Sequence, residues 1–440
     1  MPLMDEFRRH LERLALPAGR AVVAVSGGPD SMALLDLLLQ TREVHHLELL
    51  VAHADHGIAA DSATVATRVR QLAVDLGLPC EVGQLLLGAV AGETSARTAR
   101  YRWLERVRQQ TSASCILTAH HADDQAETVL MRAMNGSGPA GLAGMSSVSG
   151  VLIRPLLPFR REELIHHVRE RGLEVWLDPA NQNPRHLRSW IRCDVLPLLR
   201  RRLPEIDLNL LRVARQAAAD RAAWDAALTV LPGLDFRRET DAFSVAAPAL
   251  ADYDSVLGVA VVLAAARRVG CPVGLARAQR VLGLVKAGIS GSEVPLARGW
   301  KAELAFDRLR LVPPSLSPDR MAWTLAGDRG EGQWGRWRIR WRREAAPGRQ
   351  EYSGLTAWFS GDSLTVRAWA PGEKLTPLAR AGRRRVVRCF QEARVPSSRR
   401  SEWPVLARQD EVIWIPGVCR SDALLPAPGT EALRVDAEHA

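Results

Sequence analysis

The sequence predicts an α/β protein: a doubly wound parallel sheet in the N-terminal domain, then a mainly helical domain, then a small α+β domain at the C-terminus. Three observations carry this prediction. Strand and helix patterns alternate from residue 20 to about 130, which implies βαβ units with helices on both faces of a sheet. Beyond Leu203-Pro204 the pattern turns to long Ala-rich helices, and a Pro- and Ser-rich stretch at 313–319 marks a second boundary. The domains so delimited are 1–205, 206–318 and 319–440, in a chain of 440 residues that is long enough for each to bury a core.

In chain order, Ala21 to Val25 is short and rich in β-branched residues and reads as a buried strand. The apolar run breaks at Ser26-Gly27-Gly28-Pro29-Asp30-Ser31. Met32, Leu34, Leu35, Leu38 and Leu39 then fit one face of a helix over 31–40. Further strands are expected at 47–53 and 114–119, and helices at 62–76, around 93–110 and at 123–134. In such a sheet ligands sit at the carboxyl ends of the strands. The unusual polar residues all fall there: the Ser26 loop, His53-Ala54-Asp55-His56-Gly57, and His120-His121-Ala122-Asp123-Asp124. Farther on, 208–231 and 255–269 read as helices, and 301–312 as short strands. The run RWRIRWR at 336–342 alternates with period two, placing Trp337, Ile339 and Trp341 on one face and solvated arginines on the other, as in an amphipathic edge strand. The segment 364–435 reads as a small α+β unit.

The first polar loop joins a strand to a helix N-terminus, where unpaired amides and the positive end of the helix dipole favour an anion. Gly27 and Gly28 let the backbone approach a phosphate closely, and Pro29 loses no helical hydrogen bond there. A Walker A loop is excluded, because the lysines, Lys286, Lys301 and Lys374, lie far from any glycine-rich strand exit. Asp30, in the first turn of that helix, is by pattern a charge partner for the helix dipole. Asp124 and Glu127 lie three apart on the helix after His120-His121. Pattern alone makes them a cap, with Asp123 or Asp124 at the N-cap and Glu127 in the capping box. Arg97 and Arg100 share a helix face and by spacing alone are solvated. His120 and His121 lack the partners of a zinc site, and His53, Asp55 and His56 better suit the shaping of a nucleotide pocket.

Net charge is +10, and all but three of the 59 basic residues are arginine, so nucleic acid leads the expected partners. The charge clusters: between Arg380 and Arg400 eight arginines face one acidic residue, Glu392. Within it Arg383, Arg384, Arg385 and Arg388 are the candidate RNA contacts, on an amphipathic helix pattern carrying Val386, Val387 and Phe390. The six cysteines, Cys80, Cys115, Cys193, Cys271, Cys389 and Cys419, form no C-x-x-C pair, which points to incidental thiols of a reducing compartment and away from zinc or iron–sulfur chemistry. The longest apolar run, Val256 to Ala266, is too short to span a bilayer, so a cytoplasmic protein without a membrane partner is expected, and no feature points to a protein partner.

SGGPDS resembles the ATP-cradling signature of the PP-loop ATP pyrophosphatases, whose N-terminal fold is Rossmann-like. AHADHG, ETSARTARYRWL, TAHHADDQAETVLMRAMNGSGPAGLAGM, RPLLPFRREEL and LDPANQNPRHLRSWIRCDVLPLL look like the successive blocks of tRNA(Ile)-lysidine synthetase, and the stretch from VRAWAPGEKL to DEVIWIPG resembles that family's C-terminal domain. The resemblance covers most of 20–200 and 364–420. It implies ATP and Mg²⁺ as cofactors and tRNA(Ile) with a CAU anticodon and L-lysine as substrates. The wobble cytidine would be adenylated with release of pyrophosphate, and the lysine side-chain amine would then displace AMP to make lysidine. It further implies that Ser26, Gly27, Gly28, Pro29, Asp30 and Ser31 hold ATP, with Asp30 also a Mg²⁺ ligand, and that Arg100, Asp124 and Glu127 are catalytic or lysine-binding. The chain departs from the family pattern at Ala59, at Asn135 and at Ser189-Trp190, where Arg-Asn is usual before the Ile-Arg pair. The alternatives are another PP-loop tRNA-modifying enzyme and a catalytically silent RNA-binding homologue. Sulfur-transferring relatives typically need cysteine pairs that this chain lacks.

Overall fold

The structure, a computed structural model, describes all residues except 1, 56–61, 86–92, 177–186, 240–241, 315–320, 352, 362, 379–381 and 440. It divides into two compact units, Met1–Ala223 and Trp224–Ala440.

The first unit opens with α1 (Pro2–Leu14), followed by β1 (Arg20–Ala24), α2 (Pro29–Gln40), the short α3 (Arg42–His45), β2 (Glu48–Asp55), α4 (Ser62–Asp75), β3 (Cys80–Gln84) and α5 (Glu93–Gln110). Then come β4 (Cys115–Leu117), α6 (Ala122–Met134), α7 (Pro139–Leu142), β5 (Val148–Ser149), β6 (Leu152–Ile153) and α8 (Arg161–Glu170). The sheet order is β3-β2-β1-β4-β6-β5, parallel throughout except for the last pair. Strand order reverses between β1 and β4, so the loops leaving these two strands diverge and open a crevice at their carboxyl ends. Val22 pairs with Leu50 and Ile116, and Val23 with Val51 and Leu117. Because alternate side chains face opposite ways, Val23 joins Phe7, Leu34, Leu38 and Leu164 in one core, while Val22 joins Leu104, Val107 and Ile116 in the other. This is the doubly wound sheet that the alternation implied. Three short helical pieces, α9 (Leu187–Trp190), a π-helical turn (Ile191–Val195) and α10 (Leu196–Arg202), lead into the long α11 (Ile206–Ala227).

In the second unit, α12 (Ala247–Asp252), α13 (Ser255–Arg268) and α14 (Leu275–Ala287) pack their Val, Leu and Ala faces on a five-stranded sheet. The hairpin Lys301–Ala305 with Arg308–Val312 forms that sheet's centre, in register from Lys301↔Val312 to Ala305↔Arg308. The C-terminal part holds a second five-stranded sheet, a four-stranded sheet and two short helices, Val386–Glu392 and Ser397–Arg400. RWRIRWR corrects one expectation. Trp337, Ile339 and Trp341 are buried and the arginines between them exposed, but the strand Trp337–Ala345 lies inside its sheet, paired on one side with Arg329–Trp334 and on the other with Glu431–His439. Its arginines are not merely solvated: Arg338 and Arg340 face Glu331 at 3.4 and 3.7 Å, and Arg340 also pairs with Glu438.

Candidate active site

The break after β1 is a tight, self-bonded turn. Ser31 Oγ donates to Gly28 O at 2.9 Å and accepts from Ser26 N at 3.1 Å, and the two serine hydroxyls lie 3.2 Å apart. Gly27 adopts φ +86°, and its carbonyl accepts from Trp176 N at 2.9 Å. Gly28 is the N-cap of α2 with Pro29 in the first turn, and no side chain caps this helix. Its N-terminus is left open to an anion. Asp30 projects from the first turn toward His121 (Nε2–Oδ2 3.7 Å) and Arg161 (Nε–Oδ1 3.6 Å). Its Oδ1 is buried without a hydrogen-bond partner among the described residues.

The helix after β4 is closed instead. His121, and not Asp123 or Asp124, is the N-cap of α6: Asp124 N donates to His121 Nδ1 at 3.4 Å, and His121 N donates to Asp124 Oδ2 at 3.1 Å. The cap therefore starts two or three residues earlier than the pattern allowed, and Glu127 is released from capping. Burial works against protonation of His121, but the carboxylates of Asp30, Asp124 and Asp123 outweigh it and hold its pKa above the ordinary histidine value. His121 thus ties the helix of the first loop to the helix of the second. Asp123 turns away, accepting from Arg160 Nη2 at 2.8 Å and from the backbone N of Arg161 at 2.8 Å.

Asp124 and Glu127 converge as one buried carboxylate pair, and two arginines fill it. Arg188 donates from Nε to Glu127 at 3.0 Å and from Nη2 to Asp124 at 2.9 Å. Arg192 donates from Nη2 to Asp124 at 3.1 Å and to Glu127 at 2.9 Å. Arg188 comes from α9 and Arg192 from the π-helical turn that continues it, and their spacing of four sets both on one side. Burial opposes ionisation of Asp124, yet the charges of His121 and Arg188, with the backbone N–H of His121, hold its carboxyl below the usual range. Sequence reasoning did not find this arginine pair, whose signal was the Arg-x-x-x-Arg spacing across the departure at Ser189-Trp190.

On the far side of His120 the charge reverses. His120 Nδ1 lies 3.0 Å from Thr118 Oγ1 and its Nε2 3.5 Å from Tyr101 Oη. The guanidinium carbons of Arg97 and Arg100 stand 5.1 and 5.6 Å from the centre of the Tyr101 ring. Burial, with Arg97, Arg154 and Arg188 nearby, drives the His120 pKa far below the ordinary value, so its ring is neutral. Arg100 shares the Tyr101 ring with Arg97 on this side of His120. His53 turns inward and bonds the Val25 carbonyl at 2.8 Å, a buried structural histidine; His56, Gly57 and Ala59 lie outside the described residues.

Comparison with known proteins adds the decisive observation. The PP-loop domain family matches residues 3–199, and the TilS substrate C-terminal domain matches residues 364–437. The tRNA(Ile)-lysidine synthase of Symbiobacterium thermophilum is 31% identical over 99% of this chain and 98% of its own length. That of Alkalilimnicola ehrlichii is 33% identical over 97% of this chain and 95% of its own. The chain belongs to the tRNA(Ile)-lysidine synthase family. Among solved structures, the U34-tRNA thiolase NcsA from Methanococcus maripaludis with its [4Fe-4S] cluster is similar over 49% of this chain and 79% of that one, at 18% identity and TM-score 0.41.

Within the segment that matches the C-terminal domain of this synthase family, the basic cluster is divided by the fold. Arg384 and Arg385 form a short strand paired with Lys374 and Leu375, and the helix begins only at Val386, burying Val386, Cys389 and Phe390. Three of the four candidate RNA contacts therefore precede the helix expected to carry them. Arg384 is held by Glu392 at 2.7 Å, while Arg383, Arg385 and Arg388 stay exposed. The six cysteines are free thiols in the structure, and Cys193 is exposed.

Proposed function

We propose that this chain joins L-lysine to C2 of the wobble cytidine of tRNA(Ile) with a CAU anticodon, using ATP and releasing pyrophosphate and AMP through an adenylated tRNA. Near full-length similarity to relatives named tRNA(Ile)-lysidine synthase carries this reading, and the paired poles of the crevice fit it. On this reading residues 1–205 are the catalytic domain, 206–318 a substrate-binding domain, and 319–440 linker strands with a small tRNA-binding domain. Among the described residues no helix is long and apolar enough to cross a membrane, in keeping with work in the cytoplasm.

The uncapped N-terminus of α2, with the amides of Gly27 and Gly28 and the hydroxyls of Ser26 and Ser31, takes the ATP phosphates. Asp30 Oδ1, which accepts no hydrogen bond among the described residues and faces Arg161 Nε at 3.6 Å, is a single hard oxygen beside them, which suits Mg²⁺ held mainly by phosphate and water. Mg²⁺ bound there would neutralise charge on the departing pyrophosphate. Asp30, fixed by His121, would hold that ion. Asp124 and Glu127 supply two negative charges in a buried setting, suited to the lysine ammonium. Arg188 and Arg192 occupy that place, so the ammonium enters by exchanging with a guanidinium. There it first gives a proton to the carboxylate pair, and the freed amine nitrogen bonds to C2 as the C2–O2 bond breaks. AMP leaves with O2.

The test is incubation of the whole protein with ATP, labelled lysine and unmodified tRNA(Ile), followed by digestion. Label in the wobble nucleoside is expected. Glu127→Ala should cut lysine transfer at least tenfold while pyrophosphate release with tRNA persists. Pyrophosphate release without label in the nucleoside points to a different acceptor, and no turnover at all points to the silent binder.

A further inference from the structure

We propose that Arg154, with Arg97 and Arg100, forms a pocket for a backbone phosphate flanking the wobble nucleotide of the bound tRNA. This rests on the reading that the wobble base reacts in the crevice between the loops leaving β1 and β4. Arg154 follows β6 directly, beside the carboxyl end of β4, whose Thr118 N donates to Ile153 O at 3.0 Å. Its side chain is buried, the residue being 8% exposed, and it donates from Nη1 to Ser146 O at 2.7 Å. Its Nε is buried with no hydrogen-bond partner among the described residues. No carboxylate among the described residues pairs with Arg154, Arg97 or Arg100, although Asp and Glu neutralise Arg160, Arg188, Arg192 and Arg200 close by. A buried guanidinium without a counter-charge is costly, by several kcal/mol on the order of an unpaired buried ion. Such a group persists where a ligand supplies the missing anion.

Three features select RNA phosphate as that anion. The ATP phosphates have their own cradle at the end of β1, and β6 lies two strands away, roughly 10 Å across the sheet. Arg97 and Arg100 both stand over the Tyr101 ring and Arg154 lies close enough to interact with Tyr101 and Arg97, so the single carboxylate of lysine would leave most of these three guanidinium charges uncompensated, whereas a polynucleotide brings a phosphate on each side of the nucleotide it inserts. Guanidinium forks also match phosphate oxygens in pairs. A base drawn out of the anticodon loop to reach the nucleotide carries its own backbone with it. Arg154 at the bottom of the pocket and half-buried Arg97 at its mouth would then hold that backbone while the base O2 faces ATP.

The measurement is steady-state kinetics of Arg154→Gln and Arg154→Lys with each substrate varied in turn. It is paired with direct binding of tRNA(Ile) carrying a neutral methylphosphonate linkage on the 5′ or the 3′ side of the wobble cytidine. In the Gln variant KM for tRNA should rise about tenfold or more, with KM for ATP and lysine unchanged, and the Lys variant should recover part of the loss. One of the two neutral linkages should weaken binding to the wild type about tenfold and add nothing to the defect of the Gln variant. A raised KM for lysine or for ATP in place of tRNA overturns the proposal, as does wild-type affinity for both neutral linkages. The binding arm needs no folded variant, so a Gln variant that fails to fold leaves the proposal exposed to it. If the wild type binds tRNA(Ile) but transfers no lysine, the functional reading falls, while the methylphosphonate arm still decides the pocket.

Discussion

Gly27 is the residue on which the loop Ser26–Ser31 turns, and its requirement can be stated in two distances and an angle. At φ +86° an L side chain is strained, and a Cβ there would meet Trp176 Cε3 at 2.8 Å and Val65 Cγ1 at 3.2 Å. Gly28, at φ −76°, would bring a Cβ only to 3.5 Å from Ser26 Oγ. Gly27→Ala should therefore destabilise the fold by about 1–3 kcal/mol and raise KM for ATP, while Gly28→Ala leaves the melting temperature nearly unchanged. Thermal unfolding of both variants checks this, and equal losses would show that the turn is not the constraint. At this scale the loop was legible in the sequence because strand, glycines and helix are contiguous. The partners of Asp124 and Glu127 were not, because Arg188 and Arg192 come from more than sixty residues away. Nor was the His121 cap, because imidazole is an unusual N-cap and Asp123 and Asp124 offered the usual ones.

Among the elements, α2 and α8 are joined by a polar contact inside an otherwise apolar interface. Asp36 Oδ2 lies 2.8 Å from His167 Nε2, and Arg171 donates to the same carboxylate at 3.3 and 3.4 Å. Burial alone would raise the Asp36 pKa, but the bonds from His167 and Arg171 outweigh it and hold it below the usual carboxylate range. The unfolded chain therefore takes up this proton first as pH falls. The stabilisation is complete above the unfolded pKa near 4 and is lost as pH drops through the lower, folded value. Asp36→Asn should cost about 1–3 kcal/mol near pH 7. The gap to wild type should close below pH 4 in denaturant titrations, and a gap constant with pH would dissociate the effect from ionisation. The contact also shows which elements could be read in advance. Helices 62–76 and 93–110 and the strand at 47–53 were visible in their periodicity, each within about two residues of its observed ends. The strands Val148–Ser149 and Leu152–Ile153 are two residues long, too short to carry a period, and α8 is recognisable mainly by what it packs against.

Over the whole molecule the question is how a net charge of +10 is spent. Folding neutralises much of the arginine that composition made conspicuous, and does so with partners far apart in sequence: Glu438 sits beside Arg340, and Glu239 lies 2.9 Å from the buried Arg310. Composition thus announced a nucleic-acid partner but could not say which arginines remain available, because availability depends on strand register. Around residue 385 the fold leaves Arg383, Arg385 and Arg388 exposed, with Arg383 3.8 Å from Glu411 and Arg388 3.8 Å from Glu392, while Arg384 is committed to Glu392 at 2.7 Å. If the exposed three meet RNA phosphates, each contact releases counterions. The slope of log affinity against log salt should then fall in magnitude by about 0.7–0.9 per arginine removed. In the full chain, Arg383→Ala, Arg385→Ala and Arg388→Ala combined should therefore flatten the slope by about 2 and weaken binding most at low salt. Arg384→Ala should act mainly on stability, because it breaks the pair to Glu392. Binding isotherms of tRNA(Ile) at several salt concentrations decide the matter: an unchanged slope in the triple variant would mean that the RNA lies elsewhere and that this cluster is a solvated face.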